Sequence, residues 1–243
     1  SPLTMPGAIA QCLAESMVSC ALTQLVRPGA PAILASFLSS MSLRSGSPTF
    51  GTPEPALGSL VMGQLARRLN MPLRCAGNFT SKLPDAQAMQ QSMMSMMSAV
   101  QSGANYVLHS AGFLDGLLSM SYEKFMLDTD LCGALHSYLR GVEVSDDTLG
   151  FEALAEKGPG AHLFGTAHTL RHYKTAYYDS ALDDNQPWET WDEQGGIDAA
   201  SRANTRWKST LAAYEPPAID QAISAALHEF VARRKAATPD AWY

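Results

Sequence analysis

An α/β fold built on parallel strands is the class this sequence predicts, and three observations predict it. Short apolar runs at 31–37, 73–76 and 105–109 are each followed by a polar loop and then by a segment of helical periodicity. This unit recurs at a period of roughly 35–40 residues, as successive βα units do. The first run, PAILASF, is apolar without alternation, which fits a strand buried on both faces. Polar loops after the C-terminal ends of parallel strands are the layout of an α/β barrel or a doubly wound sheet.

The elements follow in order. Residues 8–26 carry Ile9, Leu13, Met17, Cys20 and Leu25 at approximate helical spacing, and Pro28-Gly29 stops the helix. The first strand spans 31–37, and a loop of Gly, Ser, Thr and Pro fills 39–53. The helix over 54–70 opens on Thr52 as N-cap, Pro53 at its first position and Glu54 in its first turn. The second strand is 73–76, with a polar loop over 77–85. The helix over 86–102 bears Met89, Met93, Met96, Met97 and Val100 on one face, a pattern read as adaptable core packing. The third strand is 105–109, and a long helix covers 121–140. Beyond Gly141 the chain reads as mainly helical, with helices over 142–160, 166–178, 197–214 and 217–235. A polar, acidic loop with Trp188 and Trp191 occupies 180–196, and 236–243 is a tail. Residues 1–141 are thus the βα units, and 142–243 a helical continuation of the same domain.

Composition narrows the function. Apolar residues make up 46% and charged ones only 16%, with a net charge of −6. The low charge with high apolar content implies extensive burial or partner surfaces to cover. A net negative chain without a long basic run is not built for nucleic acid. Arg233-Arg234-Lys235 is the densest basic cluster, and it ends a helix, where cations suit the dipole. No apolar stretch is expected to approach a membrane span, and no signal peptide is evident. Cys12, Cys20, Cys75 and Cys132 are far apart and read as buried free thiols of a reducing compartment. The expected location is cytoplasmic.

The strand-end rule for parallel α/β folds selects 39–54, 77–85 and 109–115 as the chemical face. His109 ends the third strand, where an imidazole can bind a carboxylate or move a proton. Asn78, Thr80, Ser81 and Lys82 follow the second strand, and Asn78 beside Gly77 also suits a turn. Phe50, among small residues, is placed to form an aromatic wall. His168 and His172 share a helix face, but no Glu follows His168 as in H-E-x-x-H and no third ligand is evident, so no metal site is assigned. Phosphate-binding glycine motifs and the G-x-S-x-G elbow are missing from the sequence.

Several segments carry a family resemblance: Ser45-Gly46-Ser47-Pro48-Thr49-Phe50-Gly51-Thr52-Pro53-Glu54, Ser81-Lys82-Leu83-Pro84-Asp85-Ala86-Gln87, Ala104-Asn105-Tyr106-Val107-Leu108-His109, Ser121-Tyr122-Glu123-Lys124-Phe125 and His168-Thr169-Leu170-Arg171-His172. Together, over nearly the whole chain, they resemble the trimethylamine methyltransferase family of corrinoid-dependent enzymes. The resemblance implies the C-terminal part of a (β/α)8 TIM barrel with additional C-terminal helices. It implies transfer of a methyl group from a methylated amine to Co(I) of a corrinoid carried by a partner protein, with no cofactor held tightly by this chain. Family chains are about twice this length, so the match is to their C-terminal half. A half barrel leaves an open edge and a bare inner face, so self-association or pairing with the missing N-terminal half is expected.

Some members of the family carry pyrrolysine, whereas all residues here are standard. A quaternary ammonium already has a neutral leaving group and needs no acid, and the pyrrolysine-free relatives that this chain resembles include glycine betaine methyltransferase. The preferred substrate is therefore a quaternary amine. Its cation would want aromatic faces, with Phe50, Phe79 and Phe113 as candidates. Its carboxylate would want His109, Asn78 or loop N–H groups. Two other readings stand beside this one. One is a partial barrel that binds a betaine or methylamine without catalysis. The other is an unrelated barrel lyase or hydrolase with His109 as acid–base.

Overall fold

The computed structural model describes residues 1–238; the rest of the expected tail, 239–243, lies outside the described residues. The first part runs α1 (Met5–Val26), β1 (Leu34–Ala35), β2 (Ser40–Met41), β3 (Pro48–Thr49), α2 (Pro53–Arg68), β4 (Leu73–Ala76), α3 (Ala86–Gln101), β5 (Tyr106–Leu108), β6 (Phe113–Leu114), β7 (Ser119–Met120) and α4 (Tyr122–Leu139). The second part is helical: α5 (Asp146–Leu149), α6 (Phe151–Lys157), α7 (Ala167–His172), α8 (Trp188–Glu193), α9 (Ala199–Ala212) and α10 (Gln221–Ala237). Two compact units result. One is Ser1–Trp207, and the other is the described part of Lys208–Tyr243.

The sheet has the order β1-β4-β5, all parallel. The expected α/β class is therefore seen as mixed helix and sheet with a three-stranded parallel core. Pairing runs Leu34 to Leu73 and Ala35 to Arg74, then Arg74 to Tyr106, Cys75 to Val107 and Ala76 to Leu108. Alternation sorts these residues onto two faces. Leu34, Leu73, Cys75 and Val107 pack with Ile9, Met62, Ala66 and Ala99 of α1, α2 and α3. Leu34 and Leu73 are essentially fully buried, each worth ~1.5–3 kcal/mol of transfer from water. The opposite face presents Ala35, Arg74, Ala76, Tyr106 and Leu108, and it is bare. Tyr106 is 54% exposed and Phe37, just beyond β1, is 51% exposed.

A second core cluster joins α3 to α4 through Met96, Leu131 and Leu135, with Met89 and Cys132 against it. A third joins α4 to α9 through Leu127, Leu182 and Ala203. Segment 178–182 is tied to α4 at Asp130, which accepts from Tyr178 Oη, Ser180 Oγ and the Ala181 N–H at 2.5–3.0 Å. Burial and the neighbouring Asp130 carboxylate push the Tyr178 phenol up to about 12.

Several sequence expectations change. The first strand shrinks from 31–37 to two residues, because Pro31 donates no N–H and only Leu34–Ala35 meets β4. The loop at 39–53 contains the antiparallel pair β2–β3, and the segment after His109 contains β6–β7. The single helix over 142–160 is two short helices, broken at Gly150 with φ +62°. The helix over 166–178 stops at His172. The polar loop at 180–196 contains α8, whose Trp188 and Trp191 rings lie 4.9 Å apart. The methionine face of α3 splits: Met96 is buried, while Met93 is exposed beside Leu57 and Leu60 of α2. Thr52 does precede α2, but its hydroxyl makes no cap bond and pairs with Ser40 Oγ at 2.6 Å.

One exclusion also gives way. At 22 residues with a single charge, Glu15, α1 is long and apolar enough by length and composition to cross a membrane. Its interleaved Ala, Ser, Thr and Gln hid this in a search for unbroken apolar runs. Here α1 lies against the sheet, with Ser16 Oγ donating to the Ala35 carbonyl at 2.7 Å.

Candidate active site

The C-terminal ends of β1, β4 and β5 open on one side, and the loops that follow are latched to one another. Between the first and second loops, the Phe50 N–H donates to Thr80 Oγ1 at 2.8 Å, and Thr80 Oγ1 donates back to the Phe50 carbonyl at 3.2 Å. Gln91 of α3 braces the second loop, its Oε1 accepting from the Thr80 and Ser81 N–H groups at 2.8 and 2.9 Å. Gly51 lies so close to Gln91 that an added Cβ would sit 2.5 Å from its Cβ, and its φ is +70°. Only glycine fits there without a shift. The third loop joins through the Asp115 N–H on the Ser81 carbonyl and the Gly116 N–H on the Phe79 carbonyl, both 2.8 Å, and through a Lys82–Asp115 ion pair. Asp85, in the same region, caps α3 by accepting from the Ala88 N–H at 3.1 Å, which holds its carboxyl below the usual range.

Two polar side-chain atoms among the described residues are buried without a partner, Asn78 Oδ1 and His109 Nδ1. Both belong to strand-end residues. Orphaned buried polar atoms are rare and costly, and they concentrate where a ligand or water completes them. His109 has φ +55°, a left-handed backbone that costs ~1–3 kcal/mol in a side-chain-bearing residue. Burial and then the Arg74 guanidinium push its pKa below the ordinary histidine value, so the imidazole is held neutral. The Phe113 ring stands edge-on to it at 5.1 Å. Phe50 is nearly buried and packs on Phe37 at 5.8 Å. Behind Asn78, among Ser36, Phe50, Ala76 and Ser98, a cavity of about 20 Å³ has room for a single water and for no amine. A small organic ligand at these strand ends would therefore lie on the open side of the sheet.

Under the second loop is a group that sequence reasoning missed. Lys124 and Asp128 of α4 are fully buried and paired. Ser92 Oγ lies 2.6 Å from Lys124 Nζ and 2.9 Å from Asp128 Oδ1, and the Gly112 N–H donates to Asp128 Oδ2 at 2.9 Å. The ammonium also sits 4.1 Å from the centre of the Phe79 ring. Burial pulls the Lys124 pKa below the usual lysine value, against the opposing pull of Asp128. The sequence signal was an i,i+4 charge pair lying on the same helix stripe as Leu127, Leu131 and Leu135.

The family model for trimethylamine methyltransferase matches residues 1–239. The chain belongs to the trimethylamine methyltransferase family. It is 38% identical to a glycine betaine methyltransferase of Desulfitobacterium hafniense (strain Y51), over 96% of this chain and 49% of that protein. It is 30% identical to a proline betaine:corrinoid methyltransferase of Eubacterium limosum, over 89% of this chain and 45% of that protein. Identity to a trimethylamine methyltransferase of Desulfitobacterium hafniense (strain DSM 10664 / DCB-2) is 27%, over 95% and 46% respectively. The chain thus spans about half the length of the curated relatives it matches.

Within this family member, the five residues singled out by sequence fall into three places. His109 and Phe113 touch each other at the third strand end. Asn78 and Phe50 line the one-water cavity. Phe79 is fully buried, with one face taken by the chain's own Lys124 cation. The pair His168 and His172, on α7, lies elsewhere. Both rings engage Asp147, His168 Nε2 at its carbonyl and His172 Nε2 at its carboxylate, each at 2.9 Å, with Arg171 on the other carboxylate oxygen at 2.6 Å. The four cysteines are free thiols, of which Cys75 is buried.

Proposed function

We propose that the intact protein moves a methyl group from a quaternary amine such as glycine betaine to Co(I) of a corrinoid presented by a partner protein, and that β1, β4 and β5 are an arc of a (β/α)8 barrel completed by the rest of a family-length chain. The observation that carries the site is that the two unpartnered buried atoms, Asn78 Oδ1 and His109 Nδ1, both follow the ends of adjacent parallel strands. The 38% identity to a glycine betaine methyltransferase supports the substrate class.

The chemistry asks little of an acid or base. As the methyl carbon bonds to cobalt, the C–N electron pair stays on nitrogen, and the amine leaves neutral. Cobalt goes from Co(I) to methyl-Co(III), and no proton moves. What the protein supplies is orientation and exclusion of water. A neutral His109 suits that task, because a second cation beside a quaternary ammonium would repel it. Aromatic faces attract such a cation by ~0.5–2 kcal/mol each, and Phe113 and Phe37 are rings at the strand ends that keep exposed surface.

The test is an amine panel. The intact protein is mixed with Co(I) cobalamin and glycine betaine, proline betaine or trimethylamine, and the absorbance of methyl-Co(III) is followed. Protein-dependent methylation by a betaine is expected. Turnover of trimethylamine with no betaine turnover would overturn the substrate class.

A further inference from the structure

No hydrogen bond to Asn78 Oδ1 or His109 Nδ1 sets the direction of either atom, so the loops that carry them must do so. Those loops are tied to one buried group. Lys124 and Asp128 of α4 form an ion pair inside the fold, and Ser92 Oγ of α3 lies 2.6 Å from Lys124 Nζ and 2.9 Å from Asp128 Oδ1. Each half of the pair reaches one loop. The Lys124 ammonium lies 4.1 Å from the centre of the ring of Phe79, the residue after Asn78. Asp128 Oδ2 accepts at 2.9 Å from the N–H of Gly112, which stands between His109 and Phe113 in the chain. A buried ion pair adds little stability over apolar residues of the same volume. What this one adds is a fixed acceptor for a main-chain N–H next to the site.

We propose that Asp128 is a positioning residue for the amine site: it holds Gly112, and through Gly112 the edge-on arrangement of His109 and Phe113. This rests on the methyl-transfer reading and deepens it. Asp128 is fully buried beneath the loops and acts only through them. Gly112 is held at both of its main-chain groups. Its N–H goes to Asp128, and its carbonyl accepts at 3.0 Å from the N–H of Ser121, the N-cap of α4. Only glycine suits the position, because φ is +86° and an added Cβ would sit 3.1 Å from both Met120 Cε and Phe125 Cδ2. The segment it anchors includes His109 at φ +55°, whose ring lies 5.1 Å from that of Phe113. A backbone held in so sparsely populated a region persists only where its surroundings over-determine it. Asp128 is one of those determinants. A shift of about 1 Å at a reacting centre costs about 100-fold in rate, so loss of the Gly112 acceptor should lower turnover about 10- to 100-fold.

The experiment compares two double variants of the intact protein, neither of which buries a charge at this position. Lys124→Met/Asp128→Leu removes the acceptor for Gly112. Lys124→Met/Asp128→Asn keeps one, because the amide oxygen takes the Gly112 N–H while the NH2 donates to Ser92 Oγ. Methyl-Co(III) formation from glycine betaine is followed below the melting temperature of both. The leucine variant should lose about 10- to 100-fold in kcat/KM, and the asparagine variant should recover most of that loss. The His109 ring-proton resonances, which feel the Phe113 ring, should move in the leucine variant and hold their place in the asparagine variant. In the wild type the Gly112 amide should be protected from hydrogen exchange, a readout that needs no variant. Equal loss of turnover in both variants, unmoved His109 resonances in the leucine variant, or an unprotected Gly112 amide would overturn the inference. Resonances and exchange that behave as expected in a protein that transfers no methyl group would overturn the proposed function alone.

Discussion

Removing one half of the Lys124–Asp128 pair should be far more damaging than removing both. Asp128→Leu leaves a fully buried ammonium with only Ser92 Oγ and the Phe79 ring as partners. Breaking a buried pair from one side costs about 3–5 kcal/mol. Lys124→Met leaves the carboxylate with two donors, Ser92 Oγ and the Gly112 N–H. Hydrogen bonds to a charged group are worth about 1.5–3 kcal/mol each, so this variant falls near the low end, at about 3 kcal/mol. The double variant Lys124→Met/Asp128→Leu buries no charge. Its main loss is the acceptor for the Gly112 N–H, about 1–2 kcal/mol. The singles therefore sum to at least about 6 kcal/mol against about 2 for the double, a coupling well above the few tenths expected of independent sites. Urea unfolding measures it through the midpoint, provided the slope is unchanged. Additive effects would refute the reasoning and show that the two groups do not depend on each other.

Four further outcomes follow from the same structure. Glu123 accepts from Ser121, Asn204 and Trp207 at 2.7–2.8 Å, and those bonds hold its carboxyl at about 2. Its contribution is therefore present above pH 4.5 and lost as pH falls through 2; allowing for solvent screening, Glu123→Gln should cost about 1 kcal/mol at pH 7 and only a small fraction of that at pH 2, as read by unfolding at both pH values. Gly51→Ala should lower stability by about 2 kcal/mol, or roughly 4–8 °C in melting temperature, because the new Cβ meets Gln91 at a positive φ. His109 should titrate below the ordinary histidine value by NMR, and Arg74→Met should raise that pKa while leaving it short of the exposed value, since burial is the larger cause. The bare sheet face should make the 243-residue chain self-associate when isolated, and a strictly monomeric species in sedimentation at high concentration would contradict that reading.

The βα units were legible because their signals are local. Val107, Cys75 and Leu34 sit in apolar runs bounded by turn residues, and Ser121, Asp85 and Asp220 cap helices in the structure as their residue types require. The strand-end rule led to His109 and Asn78 before any contact was known, because position in a parallel sheet restricts where chemistry can sit. The segments that misled are those where tertiary contacts overrule propensity. Thr52 looks like a cap and serves Ser40 instead. Residues 173–178 read as helix, yet Tyr178 is drawn onto Asp130, a partner 48 residues away. Arg74 escaped notice for another reason: one charge in a short apolar run looks incidental until the register shows it on the bare face of the sheet between Ala35 and Tyr106.

The most direct test places the reaction at the strand ends. Methyl-Co(III) formation from glycine betaine is followed with the intact protein and with Asn78→Ala and His109→Ala variants that keep the wild-type melting temperature. The expected result is a protein-dependent rise in the wild type that falls at least tenfold in each variant. Equal rates in all three proteins would contradict the assignment of these strand ends as the amine site.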